Sequence, residues 1–181
     1  MTIGRKVLLS SSLLVAFTAV TGSIALVGMG STGTVIQSIV TDALPGVYQI
    51  GRVESAARDM QFLMLMHVAS GKPDELAQLE SQILSGQESF RSVLRDYEKT
   101  ITRARDRELY EKIGPAFDGW LRSWDKAKAL SKDGKPQEAL AAFRIEAAAA
   151  FRDLCRALAD ETEFNRTSGD DFSQQATSAL S

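Results

Sequence analysis

Four stripes of apolar residues constrain the fold of this chain more than any other feature of its sequence. Within each stripe the residues are separated alternately by three and four positions, a spacing that places them on one face of an α-helix. Four such faces joined by short connections predict antiparallel helices that bury their stripes against one another. The stripe residues are Ile50, Val53, Ala57, Met60, Met64 and His67; Leu76, Leu79, Ile83, Gly86, Phe90, Val93 and Tyr97; Tyr110, Ile113, Phe117, Trp120, Trp124 and Ala127; and Leu140, Phe143, Ala147, Ala150, Leu154 and Ala157.

The breaks between the stripes define the predicted helices. Turn-forming residues occur at "SGKPD" (70–74) and "KDGKP" (132–136), and a weaker break lies at "KTITRARD" (99–106). These breaks predict helices at about 31–70, 74–101, 105–131 and 136–178. No alternation of apolar and polar residues persists, so no strand is predicted. The predicted fold is therefore all-α, a transmembrane helix followed by an up-down-up-down four-helix bundle.

The transmembrane helix is predicted at the N-terminus, where residues 7–30 carry no charge. About 20 apolar residues are enough to span a bilayer as a helix. Arg5 and Lys6 favour a cytoplasmic position for residues 1–6, which would place residues 31–181 in the periplasm as a sensor domain. The expected location is thus the bacterial inner membrane, with a single N-terminal anchor. A cleaved signal peptide is the alternative, since "SIA" at 23–25 is a small-x-small pattern.

The composition of the chain argues against several classes of function. A net charge of −2 shows no global attraction to nucleic acid. The single histidine, His67, and the single cysteine, Cys155, cannot by themselves form an ordinary zinc or haem site. No phosphate-binding glycine motif and no pairing of a nucleophile with a base is apparent. We therefore expect no enzymatic activity, no cofactor and no metal.

Three segments of the sequence resemble the four-helix-bundle ligand-binding domain of methyl-accepting chemotaxis proteins. They are "ALPGVYQIGRVESAARDMQFLML" (43–65), "RDYEKTITRARDRELYEKIGPAFDGW" (95–120) and "SKDGKPQEALAAF" (131–143). The Leu44–Pro45 pair and the two arginines Arg52 and Arg58 are typical of the first bundle helix of that family. The resemblance implies a homodimeric chemoreceptor that binds a small molecule outside the inner membrane and signals by helix displacement. The family's second membrane helix and cytoplasmic signalling module, the expected partner, are absent from these 181 residues, and the chain is either a fragment of a receptor or an abbreviated protein. Related domains also precede histidine kinases and cyclic-dinucleotide enzymes.

Five consecutive large apolar residues in "RDMQFLMLMH" (58–67) suggest that the first bundle helix has two partners. A helix with one partner shows a single apolar stripe. Here Phe62, Leu65 and Met66 fall opposite the stripe that contains Met60 and Met64, so a second copy of the chain is predicted to cover them. The alternative is a well-buried helix end covered by loops.

The same outer side of this helix carries the predicted ligand site. Its residues are Arg52, Ser55, Arg58, Asp59 and Phe62. A cation there suits a small carboxylate ligand. Two glycines at the level of Arg58, Gly86 and Gly119, suggest open space beside it, although they could equally accommodate nearby tryptophans. A membrane-tethered bundle that binds another protein is the alternative function.

Overall fold

The structure is a computed structural model that describes residues 3–38, 44–70 and 72–180. Within these ranges the regular elements are all helical. They are α1 (Ile3–Ser38), α2 (Leu44–Ala69), α3 (Pro73–Glu98), α4 (Ala104–Lys132), α5 (Pro136–Ala142), a π-helical turn (Phe143–Ala147) and α6 (Ala148–Leu180). The chain divides into two compact units, residues 1–40 with 169–181, and residues 41–168.

The second unit is the predicted four-helix bundle, formed by α2, α3, α4 and the rod of α5, the π-helical turn and α6. The all-α prediction is confirmed for the described residues, and the predicted breaks at 70–74, 99–106 and 132–136 fall at observed helix ends. The helix predicted at 31–70 corresponds to the end of α1 and the whole of α2, with residues 39–43 outside the described ranges. Pro73 and Pro136 each occupy the first helical position, where the missing N–H has no intrahelical partner to lose.

The bundle core is built from the predicted stripes. Every stripe residue of α2 is buried, and so are the large residues of the α3 and α4 stripes except Leu79 and Tyr110, which are half-buried. Phe90 of α3 stacks on Phe117 of α4 with ring centroids 3.9 Å apart. Trp120 of α4 packs on Phe151 of α6 with centroids 4.9 Å apart. Such aromatic contacts contribute about 0.5–1.5 kcal/mol each beyond the area that they bury.

The two ends of the bundle differ in their connections. At one end, here called the two-loop end, α2 turns into α3 and α4 turns into α5. The hydroxyl of Ser131 on α4 donates to the main-chain oxygen of His67 on α2 (3.0 Å), which holds these helix ends together. Gly134 follows α4 with φ 72°, a left-handed conformation that favours glycine. At the opposite, one-loop end, α3 turns into α4.

The π-helical turn changes which residues of the fourth rod face the core. A π turn contains one more residue than an α turn, so the residues before it are displaced by one position relative to those after it. Ala139 is therefore fully buried, whereas Leu140, the residue that the heptad spacing predicts, is only half-buried. Beyond the turn, Ala147, Leu154 and Ala157 are buried as predicted.

The predicted membrane anchor at residues 7–30 is wrong. Residues 7–30 lie within the continuous helix α1. Yet among the residues that the structure describes, no helix combines the length and the apolar character that a membrane crossing needs. The prediction rested on the length of the uncharged segment, in which hydroxyl-bearing residues and glycines stand between the apolar ones. Thr18 and Ser23, for example, donate to the carbonyl oxygens of Leu14 and Ala19 one turn back, at 2.9 and 2.8 Å. The predicted inner-membrane location therefore loses its basis.

Candidate functional site

The predicted site residues all lie on one exposed face of α2, here called the α2 outer face. At about 100° per residue, its members fall within roughly 80° on either side of Ser55. The face has a lower patch, a polar middle and an upper patch. These are Leu44, Val47 and Tyr48; Arg52, Ser55, Arg58 and Asp59; and Phe62, Leu65 and Met66.

The two arginines of the polar middle already have neighbours on α2. Arg58 donates to Glu54 one turn earlier (2.5 Å), and this bond and the charge of Glu54 raise the pKa of the arginine. Arg52 donates to Gln49 (3.1 Å) and lies over the ring of Tyr48, 5.9 Å from its centroid. Each guanidinium carries five N–H donors, so these bonds leave donors for a ligand.

The upper patch is an exposed apolar surface near the end of the bundle's first helix. Phe62 is 61% exposed, and Leu65 and Met66 are 42% and 45% exposed. The alternative in which loops bury this helix end is wrong, because these side chains face outward. Ser55 and Asp59 are also exposed, next to the patch.

The polar middle of α2 lies beside α6. Cys155 of α6 is half-buried, and its burial raises the pKa of the thiol. Arg58 lowers that pKa and Glu54 raises it, which places both α2 side chains within electrostatic reach of α6. A ligand that changes the Arg58–Glu54 pair would therefore act at the contact between α2 and α6.

The glycines do not open space beside Arg58. A Cβ on Gly86 would lie 2.6 Å from Cγ of Met60, so Gly86 permits α3 to pack closely against the α2 core stripe. Beside Gly119 only the end of Arg122 approaches within 4 Å. The interpretation of Gly86 as open space for a ligand is wrong, because Met60 fills that space.

A second candidate site, which the sequence analysis missed, is a buried polar cluster at the one-loop end. The Tyr97 hydroxyl of α3 contacts a carboxylate oxygen of Asp106 on α4 (2.8 Å) and one of Glu161 on α6. Asn165, one turn after Glu161, donates to the same hydroxyl (2.7 Å). The four side chains are almost completely inaccessible to solvent. One tyrosine thus joins three helices through polar contacts. The cluster of Tyr97, Asp106, Glu161 and Asn165 is called the one-loop cluster below.

Burial dominates the acid–base properties of the one-loop cluster. Desolvation, reinforced by the hydrogen bond and charge of Asp106, raises the pKa of Glu161 to about 8. Desolvation and the Glu161 carboxyl also raise the pKa of Tyr97. Arg103, whose guanidinium lies over the ring of Phe164, lowers the pKa of Glu161, but its effect is smaller.

Helix α2 approaches the one-loop cluster through Gly46. A Cβ at this position would lie 2.5 Å from Oδ1 of Asn165. Only a glycine permits this approach without moving Asn165 away from Tyr97.

The polar groups at the two-loop end are arranged differently. His67 is fully buried and packs edge-on against Trp124. Its burial lowers its pKa and keeps the ring neutral, while Nε2 lies 3.3 Å from Glu80 on α3. Glu80 is partly exposed and also pairs with Lys128 and Lys132 of α4, at 3.4 and 3.3 Å.

A shallow groove lies between α3 and α4 next to this network. Its volume is about 240 Å³, and Glu80, Leu84, Trp124 and Lys128 are among its lining residues. Leu84 is the exposed large apolar side chain of α3 within the described ranges. The groove combines both signs of charge with a small apolar floor and selects no particular ligand.

The antiparallel rods, the aromatic core and the paired loops at one end define a four-helix bundle. The profile of a family described as a four helix bundle sensory module for signal transduction matches residues 1–179. The chain belongs to this family, the sensory module of methyl-accepting chemotaxis proteins. Modules of this family act in signal transduction and are typically not enzymes. No curated protein matches the chain.

Proposed function

We propose that this sensory module binds a small organic acid at the polar middle of the α2 outer face, where two copies of the chain meet. The observation that carries the proposal is the pattern of this face: two exposed apolar patches enclose a short polar segment with two arginines. The apolar patches supply the contact between copies, and the polar segment supplies the recognition of a ligand.

The apolar patches favour a second copy as their partner. Complete burial of a side chain such as Phe62 or Leu65 contributes about 1.5–3 kcal/mol. A two-fold contact brings the same face of each copy together, so both patches of both chains leave water at once. The outer face of α4 exposes charged residues instead, among them Arg122, Asp125 and Lys126, and offers no comparable contact.

The polar middle favours a ligand with a carboxylate. Arg52 and Arg58 each retain N–H donors, and a guanidinium binds a carboxylate with two parallel hydrogen bonds. Asp59 offers an acceptor for an ammonium group on the same face. Amino acids and small organic acids are therefore the ligand classes to examine first.

Signalling follows from the position of the site between α2 and α6. A ligand that draws Arg58 away from Glu54 changes the charges that face Cys155 on α6. Ligand binding biases two arrangements of α6 relative to α2, with displacements of about 1–2 Å.

Sedimentation of the full chain over a range of concentrations tests the contact between copies. We expect a concentration-dependent dimer, which Phe62→Asp abolishes. Leu84→Asp is the matched control, because Leu84 is similarly exposed (58%) but lies on α3. A chain that stays monomeric at high concentration, or a dimer that only Leu84→Asp disrupts, contradicts the proposal.

A thermal-shift screen of amino acids and organic acids tests ligand binding. We expect at least one compound to raise the melting temperature of the full chain and Arg58→Ala to abolish that rise. Arg91→Ala is the control, since Arg91 is also an exposed arginine in an ion pair, with Asp118 at 2.7 Å. An unchanged affinity in Arg58→Ala removes Arg58 from the site.

The exposed apolar patches also support a second candidate, a module that binds another protein. In that case no small molecule shifts the melting temperature, and chemical crosslinking joins the α2 outer face to a different polypeptide. Phe62→Asp then abolishes the heterologous complex, while the chain alone stays monomeric.

A further inference from the structure

We propose that the one-loop cluster is a proton-binding site, through which the bundle responds to alkaline pH independently of any ligand on α2. A single proton shared between Glu161 and Asp106 keeps α6 packed on α3 and α4. Loss of this proton displaces the segment of α6 that carries Glu161 and Asn165.

The number of hydrogen atoms available around the Tyr97 hydroxyl requires that one of the two carboxyl groups is protonated. Asn165 donates one N–H to the oxygen of Tyr97, and the tyrosine has one hydroxyl proton to give. Two carboxyl groups contact that hydroxyl, one from Asp106 and one from Glu161. If both were ionised, one of them would face the tyrosine oxygen with no hydrogen between them. A proton on one carboxyl removes this conflict.

The surrounding charges place the proton on Glu161. The groups that face it are Tyr97 from α3, Asp106 from α4 and Arg103 from the connection that precedes α4. From α2 the nearest approach to the cluster is Gly46, which has no side chain. Arg103 is the positive group that acts on Glu161, so loss of the proton adds one negative charge beside Asp106.

The one-loop cluster is well placed to move α6. Glu161 and Asn165 lie one turn apart on α6, and both contact the Tyr97 hydroxyl, so a single group joins α6 to α3. On deprotonation the O–H bond of the Glu161 carboxyl breaks and the proton passes to water. The resulting carboxylate repels Asp106. Because Glu161 is completely buried, it reaches solvent only if this part of α6 rotates or moves outward.

Infrared titration of the full chain tests the proton. Between pH 6 and 9 we expect one protonated carboxylic acid band that disappears with a midpoint near 8. Glu161→Gln removes this band. Glu163→Gln is the matched control: Glu163 lies two residues away on the same helix, but it is exposed and paired with Arg166 at 2.7 Å, and the band should persist. A wild-type chain without the band at pH 6, or a band that survives Glu161→Gln, overturns the proposal.

A second variant keeps the test decisive if Glu161→Gln does not fold. In Asp106→Asn the neighbouring negative charge is gone, so Glu161 ionises more easily. We expect the midpoint of the band to fall by at least one pH unit, a tenfold change in proton affinity. An unchanged midpoint shows that the two carboxyls do not share a proton and overturns the proposal.

Distances between spin labels test the movement. Labels at Ala159→Cys on α6 and Ser92→Cys on α3, both exposed positions, are introduced with Cys155→Ser. We expect the distance to change by about 1–2 Å or more along the infrared titration. The distance should stay constant with pH when Glu161→Gln is added, whereas Glu163→Gln should leave the change intact. A band that titrates while the distance stays fixed overturns the proposed response.

Discussion

The two ends of the bundle bury polar groups in opposite ways. At the one-loop end, Asp106 and Glu161 are sequestered from water and the pKa of Glu161 is raised. At the two-loop end, burial also acts to raise the pKa of Glu80, but hydrogen bonds from His67 and Lys132 and the charge of Lys128 outweigh it, so that pKa is lowered. Burial therefore favours a protonated glutamate at the one-loop end, Glu161, whereas the partners at the two-loop end favour an ionised one, Glu80.

This difference depends on which partners reach each carboxyl. Glu80 lies at the rim of the bundle, where long lysine side chains extend from α4 and remain partly in water. Glu161 lies in the core stripe of α6, where a tyrosine and a second acid are its neighbours. The position on the helix thus decides the charge state more than the residue type does.

The largest expected effect that tests this comparison is the change in the free energy of unfolding with pH. The pKa of Glu161 is higher in the folded chain, so its stabilisation is complete below pH 4.5 and is lost as the pH rises to about 8. Glu161→Gln should remove this alkaline decrease, about 5 kcal/mol over the interval from 4.5 to about 8 at roughly 1.4 kcal/mol per pKa unit. The pKa of Glu80 is lowered, so its stabilisation is present above pH 4.5 and is lost on acidification. Urea unfolding of wild type, Glu161→Gln and Glu80→Gln between pH 3 and 9 measures both.

The comparison fails if the two variants flatten the same side of the pH profile. Glu80→Gln should affect only the acid side, and by less than about 1 kcal/mol, because solvent screens a partly exposed ion pair.

Removal of the Tyr97 hydroxyl should give the next largest effect. Tyr97→Phe leaves Asp106, Glu161 and Asn165 buried without their common partner, and we expect a loss of about 3 kcal/mol in the free energy of unfolding at pH 7. Tyr110→Phe is the control, because its hydroxyl contacts Glu98 (3.1 Å) at a half-buried position. Equal losses in the two variants would mean that the one-loop cluster contributes no more to the free energy of unfolding than a half-buried hydrogen bond does.

Two glycines of α2 should respond to alanine with opposite signs. In Gly46→Ala the new Cβ would lie 2.5 Å from Asn165, and displacing that side chain should cost about 2 kcal/mol. Gly51→Ala meets nothing within 4 Å and should stabilise the helix by about 0.5–1 kcal/mol. Chemical unfolding of both variants provides the measurement. If Gly46→Ala stabilised the chain, α2 would not pack closely against the one-loop cluster.

The smallest expected effect comes from the two-loop end. Ser131→Ala removes the buried hydrogen bond to the main chain of His67 and should cost about 1 kcal/mol. Ser123→Ala is its control, since that hydroxyl bonds within its own helix, to Trp120 at 2.7 Å, and should cost less than about 0.5 kcal/mol. A cost in Ser131→Ala above that of Tyr97→Phe would reverse the ranking of the two ends.

The fold could be predicted from the sequence because the apolar stripes are long and regular. Ile50, Val53 and Met60 repeat at heptad spacing, and the structure buries all of them. The same spacing identified the outward position of Phe62. These features depend on helical geometry alone, which a single sequence records directly.

The one-loop cluster escaped prediction because its members are polar. The predicted fourth stripe ends at Ala157, although buried positions continue at helical spacing through Glu161 and Asn165 to Ser168. Following the periodicity through polar residues would have found the cluster. What sequence could not supply was the partner, since Tyr97 and Glu161 are 64 positions apart and only packing brings them together.

The prediction of a membrane anchor rested on the length of the uncharged segment 7–30. Length is necessary for a membrane crossing but is not sufficient. Among the described residues, no helix combines that length with the apolar character that a crossing needs.

The π-helical turn gives the fourth rod a tolerance to length change that its neighbours lack. Deleting one residue between Phe143 and Ala147 would restore an ordinary α turn and leave the flanking segments facing the same way. The same deletion in the middle of α3 or α4 would rotate half of the helix by about 100° and turn its apolar side toward water. Evolution can therefore shorten this chain by one residue at Ile145, whose side chain is 71% exposed, more easily than within those two helices.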